Sequence, residues 1–83
     1  MKYTVTWRPS ALQRLAKLWM AADDRAIITS ASNAIDAQLA TDPFAESESR
    51  EGRTRIMVQL PLAVYYDVLE DDCLVSVWAV WQV

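Results

Sequence analysis

The sequence predicts an α+β domain in the order β-α-α-β-β-β, a helical hairpin packed on one face of a mainly antiparallel four-stranded sheet. Three observations lead there. Tyr3, Val5 and Trp7 alternate with Lys2, Thr4 and Thr6, which is the period of a half-buried strand. Two stretches with apolar residues at spacings of three and four follow, parted by Asp23-Asp24. After Arg50-Glu51-Gly52-Arg53-Thr54-Arg55, three short apolar runs close the chain, divided by Pro61 and by Glu70-Asp71-Asp72.

Eighty-three residues, 53% hydrophobic with four Trp and a single Gly, describe one folded domain over residues 1–83 rather than a disordered tail. Domains near this size bury only about 60% of their unfolded surface, so a stabilising partner is in keeping with size alone. One Cys and no His exclude an internal disulfide framework and leave Cys73 without companions for a zinc site. No metal and no cofactor are expected. The first residues lack the apolar run of a signal peptide, and no stretch reaches the roughly 20 apolar residues of a membrane span. The chain reads as cytoplasmic with no membrane partner. Its net charge of −3 weighs against a strong sequence-independent attraction to phosphate backbones.

Each element has a local cause. Arg8-Pro9-Ser10 ends the first strand, since Pro offers no N–H to a ladder and suits the first turn of a helix. Leu12, Leu15, Ala16, Trp19 and Ala22 form one apolar stripe, giving a first helix of about three turns. Asp23-Asp24 supplies an acceptor and a negative charge for the start of a second helix. That helix buries Ile28, Ala31, Ile35 and Leu39 and stops at Asp42-Pro43. Phe44 to Gly52 is polar and reads as a loop. The next strand runs from about Arg53 to Leu60 with Ile56 and Val58 inward. Leu62 to Leu69 follows, burying Leu62, Val64, Tyr66 and Val68. The last strand, Cys73 to Val83, turns Val75, Val77 and Ala79 toward the helices. Strands joined by such short turns are antiparallel neighbours.

Strict alternation then fixes the opposite face: Arg53, Arg55, Met57 and Gln59; Ala63, Tyr65 and Asp67; Ser76, Trp78, Val80 and Gln82. Nothing in the chain covers it. An exposed patch of this kind calls for a partner chain or a second copy, through Met57, Tyr65, Trp78, Val80 and Gln82. An amphipathic helix across the patch and a strand added to a sheet edge are both suited to it.

The candidates for chemistry each have a bland reading. Arg53 and Arg55 suit bidentate contacts to phosphate, and equally suit ion pairs with Glu46, Glu48 or Glu51. Tyr65 and Tyr66 could stack on bases or carry protons, or simply pack; Trp78 and Trp81 share that ambiguity. Cys73 has no neighbouring base in sequence to activate it. Phosphate loops, metal-ligand clusters and hydrolase triads are absent from the sequence.

The run Tyr3-Thr4-Val5-Thr6-Trp7-Arg8-Pro9-Ser10-Ala11-Leu12, with Leu15 and Trp19 after it, resembles the opening of RelE/ParE superfamily toxins from bacterial type II toxin–antitoxin operons. Ser49-Arg50-Glu51-Gly52-Arg53, Pro61-Leu62-Ala63-Val64-Tyr65-Tyr66-Asp67-Val68 and Val75-Ser76-Val77-Trp78-Ala79-Val80-Trp81 extend the resemblance over nearly the whole chain, and the element order agrees with it.

The resemblance implies a small toxin neutralised by a cognate antitoxin that wraps around it. RelE-like members cleave messenger RNA on the ribosome without a metal, using basic and aromatic side chains of the sheet face; ParE-like members inhibit DNA gyrase. On the RelE-like reading, Arg53 and Arg55 would stabilise phosphate charge during 2′-hydroxyl attack, with Tyr65 as the remaining catalytic candidate. The chain departs from that pattern where it has Ala63 in place of an arginine, and Trp81-Gln82-Val83 where an Arg or His usually closes the sheet. These departures favour a ParE-like toxin that acts by target binding. A ribosome-dependent endoribonuclease and a decayed toxin persisting as a binding module or homodimer are the alternatives.

Overall fold

The computed structural model describes residues 2–45 and 47–83. Among them the order is β1 (Thr4–Trp7), α1 (Pro9–Ala21), α2 (Arg25–Thr41), β2 (Ser47–Ser49), β3 (Thr54–Gln59), β4 (Leu62–Leu69) and β5 (Leu74–Gln82), with a 3-10 turn at Glu70–Asp72. The strands form one sheet ordered β1-β5-β4-β3-β2. β1 runs parallel to β5, as the intervening helices allow, and the other pairs are antiparallel. The α+β class and the helix pair follow the sequence; the sheet has five described strands rather than four. No helix among the described residues is long and apolar enough to cross a membrane.

The extra strand is β2, inside the segment expected to be a loop. Ser47 pairs with Met57 and Ser49 with Arg55. The turn back to β3 places Gly52 at φ 60, a conformation glycine adopts without a Cβ penalty. Ser-Glu-Ser carries no apolar alternation, so this edge strand owes its existence to its partner's register.

α2 is built as the sequence predicts. The Ile27 N–H donates to the Asp24 carboxylate at 3.3 Å, and Ile28, Ala31, Ile35 and Leu39 are its buried residues. Asp24→Ala is expected to lower stability by about 0.5–1 kcal/mol, read as a fall of a few degrees in the thermal midpoint. α1 is rotated from its expected orientation. Ala11 is buried and Leu15, Leu18 and Ala22 pack against the core, whereas Leu12 is 51% exposed and Trp19, half open to solvent, lies along α2 with its indole N–H donating to Thr29 Oγ1 at 3.0 Å. The core lies between the helices and one sheet face, with Met57, Leu62, Val64, Tyr66, Val68, Val75, Val77 and Val80 supplied by the strands.

Two expected faces are corrected. In β3, Met57 is 1% exposed and Val58 is 51% exposed, because Met57 pairs with the core residue Val64. Ile56, Met57 and Val58 are consecutive apolar residues, so alternation could not choose between them. In β5, a register shift sets Tyr66 opposite Val77 and Tyr65 opposite Ala79, leaving Trp78 as the extra residue of a bulge. Beyond it the parity of the strand is reversed. Val80 therefore sits in the core at 4% exposure, and Ala79, expected to face the helices, pairs with outward Tyr65.

Candidate partner-binding face

Three rows of side chains cross the sheet face opposite the helices. The first is polar: Thr6, Ser76, Asp67 and Thr54 are consecutive partners across β1, β5, β4 and β3. The second runs from Ala79 through Tyr65 and Ile56 to Glu48, and the third from Trp81 through Ala63 to Val58. The bulge inserts Trp78 between the first two. Its ring lies parallel to Tyr65, with centroids 5.2 Å apart and planes at 12°. Trp81 meets the same tyrosine at 4.9 Å and 45°. Tyr65 is thus held between two indoles, an aromatic shelf with only half-buried rings.

The polar row is tied to the shelf through one carboxylate. Asp67 Oδ1 accepts from Thr54 Oγ1 at 2.7 Å and from Trp78 Nε1 at 3.2 Å. Arg8 reaches the same residue from the α1 N-terminus, with Nη2 3.6 Å from Asp67 Oδ2 and Nε donating to Ser76 Oγ at 3.0 Å. The Arg8 N–H donates to the Val77 carbonyl at 2.8 Å, which aligns the residue with β1 and continues the outward parity of Thr4 and Thr6. Sequence reading treated Arg8 only as the end of a strand. Its place two residues beyond Thr6 was the signal that it belongs to this face. At the other rim, Arg50 Nη1 contacts Glu48 Oε2 at 3.1 Å.

The sequence-predicted site residues do not converge. Arg53 precedes β3, exposed in the turn, and borders a groove lined by Val68, Leu69, Glu70, Asp71 and Asp72. Arg55 lies on the helix-side parity of β3, opposite buried Tyr66. It donates from Nε to Ser47 Oγ at 2.9 Å and stands 5.2 Å from the Phe44 ring centroid. Tyr65 is on the opposite face. Of the expected partner-binding set, Tyr65 and Trp78 are together on the open face, while Met57 and Val80 are core residues. Gln82 is exposed at the end of β5, paired with Leu62. Glu46, one suggested partner for the arginines, lies outside the described residues.

Below the sheet, the Tyr66 hydroxyl donates to the Pro43 carbonyl at 2.6 Å. Burial pushes its phenol above the ordinary value, against the lowering influence of Ser47 and Arg55. The unfolded chain loses this proton near pH 10, before the folded one does. The stabilising contribution is therefore complete below about pH 10 and lost as pH rises through the folded pKa. Denaturant titrations from pH 8 to 11 should show this fall setting in above about pH 10, with a shallower fall for Tyr66→Phe.

No protein-family model matches the sequence, and no curated protein matches it significantly. Solved structures do. A chain of the RelBE2 toxin–antitoxin complex from Mycobacterium tuberculosis superposes with a TM-score of 0.82 at 19% identity, covering 100% of both chains. A chain of the intact E. coli RelBE toxin–antitoxin complex gives 0.70 at 15% identity over 98% of this chain and 96% of that one. A mutant of the E. coli toxin RelE in the free state gives 0.73 at 15% identity over 99% of this chain and 84% of that one. The chain thus shares the fold of these RelE structures over nearly its whole length.

Proposed function

We propose that the chain is the toxin of a type II toxin–antitoxin pair, acting by protein contact in the manner of ParE-like gyrase inhibitors and neutralised by an antitoxin. The solved neighbours include toxin–antitoxin complexes, which supports the antitoxin partner. The observation that carries the choice of action is the balance of charge on the open face. Arg8 and Arg50 at its rim stand beside carboxylates, Arg8 by Asp67 and Arg50 by Glu48, and its middle is aromatic and apolar. A polyanion gains most from unpaired cations. A protein surface gains from aromatic anchors with a polar rim. The stacked rings would also suit bases, so the ribosomal endoribonuclease is the competing reading.

Growth of a bacterial culture under induced expression tests this, with and without the neighbouring short reading frame. The expected result is arrest relieved by the neighbour, with DNA synthesis stopping before protein synthesis. The reverse order would transfer the assignment to ribosomal cleavage, and unimpaired growth would remove the toxin reading.

A further inference from the structure

We propose that Asp67 and the stacked Tyr65–Trp78 pair form a receptor point for one cationic side chain, an arginine or lysine, of a protein partner, and that Arg8 is its displaceable resident. The inference rests on reading the open face as a protein-binding surface; it adds which chemical group the partner brings there.

The carboxylate is oriented without being neutralised. Both donors to Oδ1, the Thr54 hydroxyl and the Trp78 indole N–H, are uncharged, so they fix the group and leave its charge intact. The cation facing Oδ2 is 3.6 Å away, longer than a good N–H···O hydrogen bond. Arg8 is held mainly by Ser76 through Nε. Its side chain is 54% exposed against 20% for Asp67, and exposed ion pairs of this kind contribute about 0–1 kcal/mol. An incoming guanidinium or ammonium that reached Oδ2 at hydrogen-bond distance would exchange a loose contact for a charge-assisted one.

The indole beside the carboxylate suits the same group. A cation within about 6 Å of an indole face is attracted by the ring quadrupole; Tyr65 is covered by Trp78 and Trp81, so the stack leaves the outer face of Trp78 for that contact. The surroundings have the matching sign. Glu70, Asp71 and Asp72 follow β4 directly, in a chain of net charge −3. That field draws a basic segment toward the face. A phosphate at the same point would have to displace or approach Asp67 against like charge.

The two ligand classes predict opposite responses to one substitution. If the point receives a cation, Arg8→Gln removes the resident competitor and strengthens binding. If it receives an anion, the same change removes the binding group and weakens it. The probe is the peptide acetyl-Gly-Leu-Arg-Leu-Gly-amide, titrated into the full chain labelled with nitrogen-15, reading the Trp78 indole N–H resonance. A citrulline peptide supplies the same shape without charge, and hexauridylate supplies phosphates and bases.

The expected result is a saturable shift with the arginine peptide and binding at least about fivefold weaker with citrulline. Asp67→Asn, which keeps an acceptor for Thr54 and Trp78, should weaken the arginine peptide about tenfold, in line with loss of a hydrogen bond to a charged group. Arg8→Gln should strengthen it severalfold. Equal binding of citrulline, weaker binding by Arg8→Gln, or a hexauridylate shift that Arg8→Gln abolishes would each overturn the proposal. Should Asp67→Asn unfold, the exposed Arg8 change and the citrulline comparison still decide it. Growth arrest without arginine-peptide binding would remove this inference and leave the toxin reading; peptide binding without arrest would do the opposite.

Discussion

Tyr66→Ala is expected to cost about 3–5 kcal/mol of folding stability, the range for truncating a large buried aromatic residue. Tyr66 is fully buried on β4 and is among the largest such side chains. Its ring packs in the cluster shared by α2 and the central strands, so removal leaves a cavity where helix meets sheet. The phenol also supplies the hydrogen bond to Pro43, at the point where the chain leaves α2 for the edge strand. A domain of this length has roughly 4–12 kcal/mol of stability in all. The variant should therefore be largely unfolded or close to it at 37 °C, as urea denaturation followed by circular dichroism would show. Tyr66→Phe keeps the ring and should lose only about 1–2 kcal/mol. Equal losses in the two variants would mean that the hydroxyl, not the ring, is what the core needs.

Trp78→Ala should produce the largest loss of partner affinity with a much smaller loss of stability. The indole is half-buried, so its removal sacrifices stacking on Tyr65, worth about 0.5–1.5 kcal/mol, and one hydrogen bond to Asp67. Aromatic residues near the centre of an interface commonly contribute 2 kcal/mol or more to binding. Affinity for the protein that relieves growth arrest should fall about 30-fold or further by calorimetry. Leu60→Ala serves as the comparison, because Leu60 is exposed in the turn between β3 and β4 and is not one of the stacked aromatic residues. Unchanged affinity in both Trp78→Ala and Tyr65→Ala would mean that the partner binds elsewhere.

Elements whose ends and period agree were legible in the sequence. α2 has a capping aspartate, a proline just past its end and four apolar residues on one stripe, and those four are the buried ones. α1 has Leu12, Leu15, Leu18, Trp19 and Met20 spread around its circumference. More than one stripe can be drawn through them, and packing over β5 selects the one with Leu18. β3 presents three apolar residues in succession, and its face is decided by the register set through the Leu60–Pro61 turn. β2 has no intrinsic strand signal at all. The open face was legible as an idea, and Tyr65 and Trp78 were correctly placed on it. Met57 and Val80 were misplaced because alternation was carried through a strand whose register was unknown and through a bulge.

The bulge also gives β5 slack in length as well as in side chain. Because Trp78 is the surplus residue opposite the Tyr65–Tyr66 step, altering its side chain leaves the rest of β5 in frame. Deleting it would restore simple alternation and leave Ala79, Val80 and Trp81 opposite Tyr65, Val64 and Ala63 as before, so the loss would fall on the stack with Tyr65 and the bond to Asp67. The strand thus carries one residue of spare length at the point where the aromatic shelf is built: the core beneath fixes the frame of Val77 and Val80 and leaves the residue between them to the surface.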